Sequence, residues 1–241
     1  MVGKDPLISA IVTAHGEGAL LRRSLNSLRR SVEFAARLGT YCQIIVVLDR
    51  ADDATRRVAT EDSALGDVEV LEVDFGDLGL ARNSGVRASR GGVIAISDGD
   101  DYVSENWLHE AGRLIQSSDR VIAHPQLVIL FGDQSGYYWQ RSQRCRDFDP
   151  DCLLGLNPYN SCCAARRDTF LTVPYVPVKG GGSGFGYEDW HWNAETIASG
   201  FEHHVVERTV HFVRRKSAGS LSRRQRDDGA LIPASRYFDV L

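Results

Sequence analysis

Four short apolar runs rich in β-branched residues, Leu7–Thr13, Ile44–Leu48, Val68–Val73 and Val93–Ser97, punctuate the first part of this chain, and helical spacing fills the stretches between them. Leu21, Leu25, Leu28 and Val32 recur at three- and four-residue intervals within Glu17–Leu38, the polar cluster Asp49–Thr55 leads into a second helix, and Leu80–Ala88 reads as a third. The nearly continuous runs suit buried strands, and Val68–Val73, with Glu69 and Glu72, alternates like a strand. Alternated with helices, the four runs build βα units around a parallel sheet. The expected fold is therefore α/β, a mainly parallel central sheet flanked by helices. In such sheets ligands bind beyond the carboxyl ends of the strands, and Asp49 and Asp98 each follow directly on a predicted strand.

The remainder is less periodic. Ser104 is placed to cap a helix through Ile115, Val121–Phe131 reads as one or two strands around Pro125, Asp189–Ser199 as a helix closed by Gly200, and His203–Val213 as extended chain. Tyr137–Asp149 is polar and aromatic without a period, so the topology of this half is not readable. The glycine-rich stretch 180–186 lacks the G-K-[ST] ending of a phosphate loop and suits a mobile lid or a plain flexible loop.

At 241 residues the chain is long enough to bury a core as one large domain, and 28 Lys+Arg against 32 Asp+Glu leave a formal charge of -4. That balance gives no bias toward nucleic acid, so none is expected as a partner. Local basic charge is concentrated in Arg214-Arg215-Lys216, Arg223-Arg224 and Arg226, a solvated tail or a site for anions or a membrane surface. Five cysteines without a C-x-x-C pair and the absence of a leader-like apolar start point to reduced thiols and a cytoplasmic location. No apolar run approaches the ~20 residues of a membrane span, so any membrane contact is expected to be peripheral.

Ser97-Asp98-Gly99-Asp100-Asp101 places three carboxylates in four residues at a strand end, where a divalent cation would relieve their repulsion. Mg²⁺ and Mn²⁺ take oxygen ligands, commonly one or two carboxylates completed by substrate phosphates. A D-x-D turn also suits an aspartyl-phosphate phosphatase with Asp98 as nucleophile, a two-metal nucleotidyltransferase, or a plain surface turn. Far downstream, Glu188-Asp189 opens a predicted helix, where carboxylates are favoured by the helix dipole and a base for an acceptor hydroxyl could also reside. Trp190 and Trp192 flank it, and Tyr137, Tyr138 and Trp139 form a second aromatic group. Either could offer a face to a sugar, although core packing is the default for such residues. His191, His203, His204 and the pair Cys162-Cys163 read as packing or surface residues.

Four segments in order resemble the family 2 inverting glycosyltransferases. Val12-Thr13-Ala14-His15-Gly16-Glu17 is similar to their opening strand and turn. Gln43–Thr55 (QIIVVLDRADDAT) resembles their E-I-I-V-V-D-D-G-S-T-D-G-T, with Leu48 in place of the first aspartate. Gly79-Leu80-Ala81-Arg82-Asn83-Ser84-Gly85 resembles G-x-A-x-A-R-N-x-G, and Gly91–Asp101 resembles G-E-Y-I-A-F-L-D-A-D-D. Gly186-Tyr187-Glu188-Asp189 further resembles their G-x-E-D segment.

The resemblance implies a GT-A fold in a single domain over 1–241, with a nucleotide-sugar half at 1–110 and an acceptor half at 111–241. It implies transfer of a sugar, with inversion, from a nucleotide-diphosphate donor (UDP first, GDP or dTDP as alternatives) to a glycan or lipid-linked acceptor in polysaccharide, capsule or glycoconjugate assembly. Mn²⁺ or Mg²⁺ is the implied cofactor. Thr13 and Ala14 would line the base pocket, with Glu17 and Asp49 on the donor. Asp98 would hold the ribose or the metal, and Asp100 would ligate it with His211. Arg82 or one of Arg214, Arg215 and Lys216 would add charge near the pyrophosphate, and Asp189 would act as base beside Glu188. A non-catalytic sugar-nucleotide or glycan-binding module is the remaining alternative.

Overall fold

The computed structural model describes residues 7–61, 68–178, 184–216 and 219–239. β1 (Ile8–Ala14), β2 (Cys42–Asp49), β3 (Glu69–Val73) and β4 (Val93–Asp98) pair in parallel in the order β3-β2-β1-β4. All seven residues of β1 are buried. Alternation along the strand divides them between two cores: Ile8, Ala10, Val12 and Ala14 belong to one, Ile11 to the other. The first core is closed by α1 (Ala19–Arg37), α2 (Asp53–Glu61) and α4 (Trp107–Gln116), which contribute Leu21, Leu25, Leu28, Val58, Trp107 and Leu108. The second lies under α3 (Leu78–Ala88), α5 (Arg167–Thr172) and α6 (Glu188–Ala198), where Ile11, Ile45, Val47 and Ile94 meet Phe170 and Trp192. Trp192 stacks on Phe170 with ring centroids 4.8 Å apart, so it is a core residue and not an acceptor platform.

The second half extends the same sheet. β8 (Cys163–Arg166) runs antiparallel to β4 and joins it to β6 (Val121–Gly132), which pairs in parallel with β9 (Glu202–Arg215). The two-residue β5 (Tyr102–Val103) is antiparallel on the far edge of β9, and β7 (Gly136–Trp139) is antiparallel on β6. The full order is β3-β2-β1-β4-β8-β6-β9-β5 with β7 beside β6, a mixed sheet whose first four strands in the chain are all parallel. Pro125 does not divide β6 into two strands. Its register with β9 shifts between Pro125 and Leu127, and a bulge there absorbs the missing N–H. Ser104 does not cap α4, because its hydroxyl is engaged with Asn106 and the Val210 N–H and the helix begins at Trp107. β5, β8 and α5 are too short to give a period.

His124 and His203 stack in the interior, with Nε2 of the first 2.8 Å from Nδ1 of the second, against Tyr159. Burial pushes His124 down to about 3 and His203 in the same direction. They are neutral packing residues tying β6 to β9. Cys162 and Cys163 are likewise buried, and the five thiols are unpaired.

Gly85 brings α3 unusually close to the sheet. A Cβ there would lie 2.6 Å from Ile11 Cγ2 and 3.0 Å from Val47 Cγ2, both stiff β-branched side chains inside the core. Gly85→Ala is therefore expected to destabilise the protein by about 1–3 kcal/mol, the usual scale of overpacking, seen as a lower urea midpoint with unchanged slope.

Candidate active site

The register that pairs Thr13 with Asp98 and Ala14 with Leu48 brings the ends of β1, β2 and β4 together, so Asp49 and Asp98 flank β1 at one rim. Gly99 closes that rim. Its N–H donates to the Thr13 carbonyl at 2.9 Å, and a Cβ would come within 2.9 Å of the same oxygen, so the middle position of the acidic turn admits no larger residue without displacement.

Arg82, on α3, is fully buried and reaches both halves of the molecule. Its Nη2 donates to Asp98 Oδ1 at 2.8 Å and its Nη1 to Glu188 Oε1 at 2.9 Å, while the guanidinium carbon sits 5.3 Å from the Tyr175 ring centre. Asp98 also accepts from Thr13 Oγ1 at 3.3 Å and, on Oδ2, from Ser161 Oγ at 2.8 Å. Burial alone would raise the Asp98 carboxyl, but Arg82 and Ser161 hold it below the usual range. Both oxygens are thus engaged inside the protein. Held on both oxygens by side chains, Asp98 is not the free nucleophile a phosphatase needs.

Asp49 also turns inward. Oδ1 accepts from the N–H groups of Phe75 (2.8 Å) and Gly76 (2.9 Å), and Oδ2 from that of Asp77 (2.9 Å). The carboxylate shapes the turn between β3 and α3. Arg50, which follows it, has φ of 52°, which explains why the resembling motif has glycine there. Asp77 caps α3 by accepting from Leu80 N and accepts from Val178 N at 2.8 Å. Asn83 grips both the carbonyl and the N–H of Tyr175, at 2.8 and 3.0 Å. One helix therefore fastens the segment that leads to the glycine-rich stretch. Residues 180–183 of that stretch, expected as a lid, lie outside the described residues. Gly186 is bonded to the Leu231 carbonyl at 2.9 Å.

The other two carboxylates of the turn face β9 and the residue after it. Asp100 Oδ2 is 2.9 Å from Lys216 Nζ and 3.8 Å from Arg214 Nη1. Glu17 accepts from His15 N at 2.6 Å; burial and the nearby Asp100 raise its carboxyl while Lys216 opposes them, so Glu17, Asp100 and Lys216 share one locality. Asp101 accepts from Arg214 N at 2.8 Å, and its Oδ2 is 3.1 Å from His211 Nε2. His211 is completely buried, its Nδ1 is 2.7 Å from the Asn160 amide nitrogen, and its Nε2 has no well-aligned hydrogen bond. Among the described residues no group of three or more His, Cys, Asp or Glu side chains converges as a metal site. The set Asp98, Asp100 and His211 is not a preformed cage. Asp100, at the cleft with one oxygen on Lys216, and the unsatisfied His211 nitrogen are the members whose chemistry still suits a cation completed by substrate phosphates.

Glu188 and Asp189 form the first turn of α6, after Tyr187 in left-handed conformation (φ 56°). Glu188 is buried and anchored on Arg82, whereas Asp189 is half-buried, with Oδ1 accepting from Trp190 N at 2.8 Å. Burial pushes Glu188 up to about 7, Arg82 pulling it back and Asp189 adding to the rise; burial raises Asp189 too, again against Arg82. Asn160 and Ser161 complete this site but carried no sequence signal, since they lie in the loop before β8 and only that strand's pairing with β4 brings them in.

The sheet order, the acidic turn closing β4 and the carboxylate pair opening α6 define a GT-A type fold. Its structural relatives include Staphylococcus aureus TarS 1-349 in complex with UDP-GlcNAc (TM-score 0.68, 16% identity, 89% of this chain and 60% of that one) and GalNAc-T7 with UDP, GalNAc and Mn²⁺ (TM-score 0.66, 17% identity, 90% and 45%). The glycosyl transferase family 2 model matches residues 9–170, and the chain belongs to that family. Among curated proteins, it is 36% identical over 141 residues to the uncharacterized glycosyltransferase EpsJ of Bacillus subtilis, covering 58% of this chain and 36% of EpsJ. It is 27% identical over 110 residues to the glycosyltransferase AglE of Haloferax volcanii, covering 45% and 35%. The chain spans about a third of the length of these relatives. Among the described residues no helix is long and apolar enough to cross a membrane.

Removing Arg82 leaves the buried Glu188 and the half-buried Asp98 without their cation. Arg82→Met is expected to cost about 3–5 kcal/mol of unfolding free energy by urea denaturation, and Arg82→Lys, which cannot reach both carboxylates as a fork, an intermediate amount.

Proposed function

We propose that this chain carries an inverting glycosyltransferase site that moves a sugar from a nucleoside-diphosphate donor to an acceptor hydroxyl, in polysaccharide or other glycoconjugate assembly. The observation that carries the reading is the continuous link from Asp98 through Arg82 to Glu188: it holds a half-buried carboxylate, Asp189, in fixed relation to the strand ends where a donor binds in this fold. Membership of glycosyl transferase family 2 supports it. UDP is the first choice of nucleotide because the related structures of TarS and GalNAc-T7 are described with it. The acceptor is a glycan or a lipid-linked glycan.

Asp189 takes the proton of the acceptor hydroxyl as that oxygen forms its bond to the anomeric carbon. The bond from that carbon to the donor phosphate breaks on the opposite face, and the nucleoside diphosphate leaves with the electron pair. An unassisted hydroxyl is far too weak an acid to lose its proton near neutrality, and a base raised toward neutrality accepts that proton better than an ordinary aspartate. Lys216 and Arg214, drawn to Asp100, supply fixed positive charge for the departing diphosphate. Asp100 would hold Mn²⁺ or Mg²⁺, with His211 as the second protein ligand, and the cation when bound neutralises the leaving group's charge. Thr13, Ala14 and Glu17 line the donor side from the end of β1, and Asp49 acts there by shaping the neighbouring turn.

Asp189→Asn is expected to lower kcat for transfer by about 10²–10⁴, the usual range for loss of a general base, with nucleotide binding by thermal shift unchanged. Wild-type transfer rate would refute the assignment. Because burial raises the Asp189 carboxyl, the rate should climb with pH through a range above that of a free aspartate, where an unperturbed base would already have levelled off. Asp189 and Glu188 titrate as a pair.

A further inference from the structure

Between β7 and the segment 147–158 lies a groove to which the reaction as described assigns no task. It has a cavity volume of about 340 Å³, at the small end of the ~300–1,000 Å³ range of small-molecule pockets, and is lined by Tyr138, Trp139, Phe148, Arg141, Asp147 and Asn157 among others. β7, which supplies the first two, is an edge strand whose aromatics are not core: Tyr137 is 70% and Trp139 58% exposed. Large aromatics at that exposure on an edge strand contribute little to stability and offer flat apolar faces to a ligand.

The groove is mechanically joined to the catalytic elements. Its far wall, residues 152–158, is tied to α6 by the Trp190 indole N–H donating to the Leu153 carbonyl at 2.9 Å and by Asn193 donating to Asn157 Oδ1 at 2.9 Å. Its near wall is tied to the metal-side loop, because Gln140, which follows Trp139, accepts from Asn160 N at 2.8 Å, and Asn160 contacts His211. The Tyr138 hydroxyl lies beside Asn160 and within electrostatic range of Asp189 and Arg215. The groove therefore shares its walls' anchors with α6, the helix that carries the proposed base.

The lining also selects its occupant. An acyl chain wants an uninterrupted apolar wall, but here indole, phenol and phenyl faces alternate with an Arg141–Asp147 ion pair and an amide. A pyranose has that same duality, apolar C–H faces with a rim of hydroxyls that both donate and accept, and planar guanidinium, carboxylate and amide groups bind such rims. We propose that this groove is the acceptor subsite, in which one sugar ring of a glycan acceptor lies on the Trp139 indole with its hydroxyls on Arg141, Asp147 and Asn157. The inference rests on the glycosyltransferase reading above and narrows its acceptor to a carbohydrate at the reacting end.

The test is a fluorescence titration of the full chain with methyl pyranosides, with chito-, malto- and xylo-oligosaccharides, and with phosphatidylglycerol vesicles free of carbohydrate. UDP binding is followed in parallel by thermal shift. At least one saccharide series should give a saturable tryptophan signal; Trp139→Ala should weaken that binding at least tenfold and Trp139→Phe less, with the UDP shift unchanged in both. Three results would overturn the proposal: no saturable saccharide signal, an unaltered affinity in Trp139→Ala, or a response to the vesicles alone. Saccharide binding at Trp139 in a protein that binds no nucleoside diphosphate would instead sink the transferase reading and leave a glycan-binding groove.

Discussion

A buried guanidinium must be neutralised where it stands, and in this molecule Arg82 meets that demand by drawing together Asp98 from the end of β4 and Glu188 from the start of α6. The two carboxylates are ninety residues apart in sequence. A cation without exposure cannot exchange one partner for water, so the helix, the strand end and the acceptor-side helix are held in one geometry. Ser161 and Thr13 fill the remaining positions on Asp98, and Tyr175 lies against the guanidinium. Asn83, one residue along α3, clamps the backbone of that same Tyr175.

The same interaction sets the chemistry. Around one guanidinium stand Asp98, Glu188 and, slightly farther away, Asp189, so the negative groups outnumber the cation. Asp98 has the extra donor from Ser161 and stays low, while Glu188 and Asp189, with fewer donors and deep burial, rise. A carboxylate pair with raised proton affinity emerges from a structural network without any group dedicated to tuning it. On the other side of the rim, Asp100 pairs with Lys216 and Asp101 with His211. The three carboxylates of the turn thus have three different partners: an arginine from α3, a lysine just past β9 and a histidine within β9. One short acidic segment is the junction of nearly every element around the cleft.

Much of this was legible from residue order alone. Alternating apolar runs and helical periods specify the parallel strands and their helices because a strand buried on both faces and a helix with one apolar stripe have distinct periods, and strand polarity then places Asp49 and Asp98 at one rim. The motif spacing around Arg82-Asn83 and Glu188-Asp189 brings both into the same site. Local sequence does not record where a side chain points once it arrives. Asp49 and Asp98 occupy the expected rim, yet their oxygens are directed at backbone amides and at Arg82, because buried carboxylates take the nearest donors and those donors come from distant segments.

The sequence by itself determined the α/β class, the family resemblance and the identity of the carboxylates, since each depends on short-range period or motif. Only the tertiary structure decided which carboxylate is a strut and which is available, and it separated two tryptophans of equal sequence promise, burying Trp192 against Phe170 and leaving Trp139 exposed on an edge strand. The order β8-β6-β9-β5 arises from pairings between strands far apart in the chain, one of them two residues long, and no local period encodes such pairings. Those pairings bring Ser161, Asn160, His211 and Lys216 to the acidic turn, and with them the division of labour among Asp98, Asp100 and Asp101.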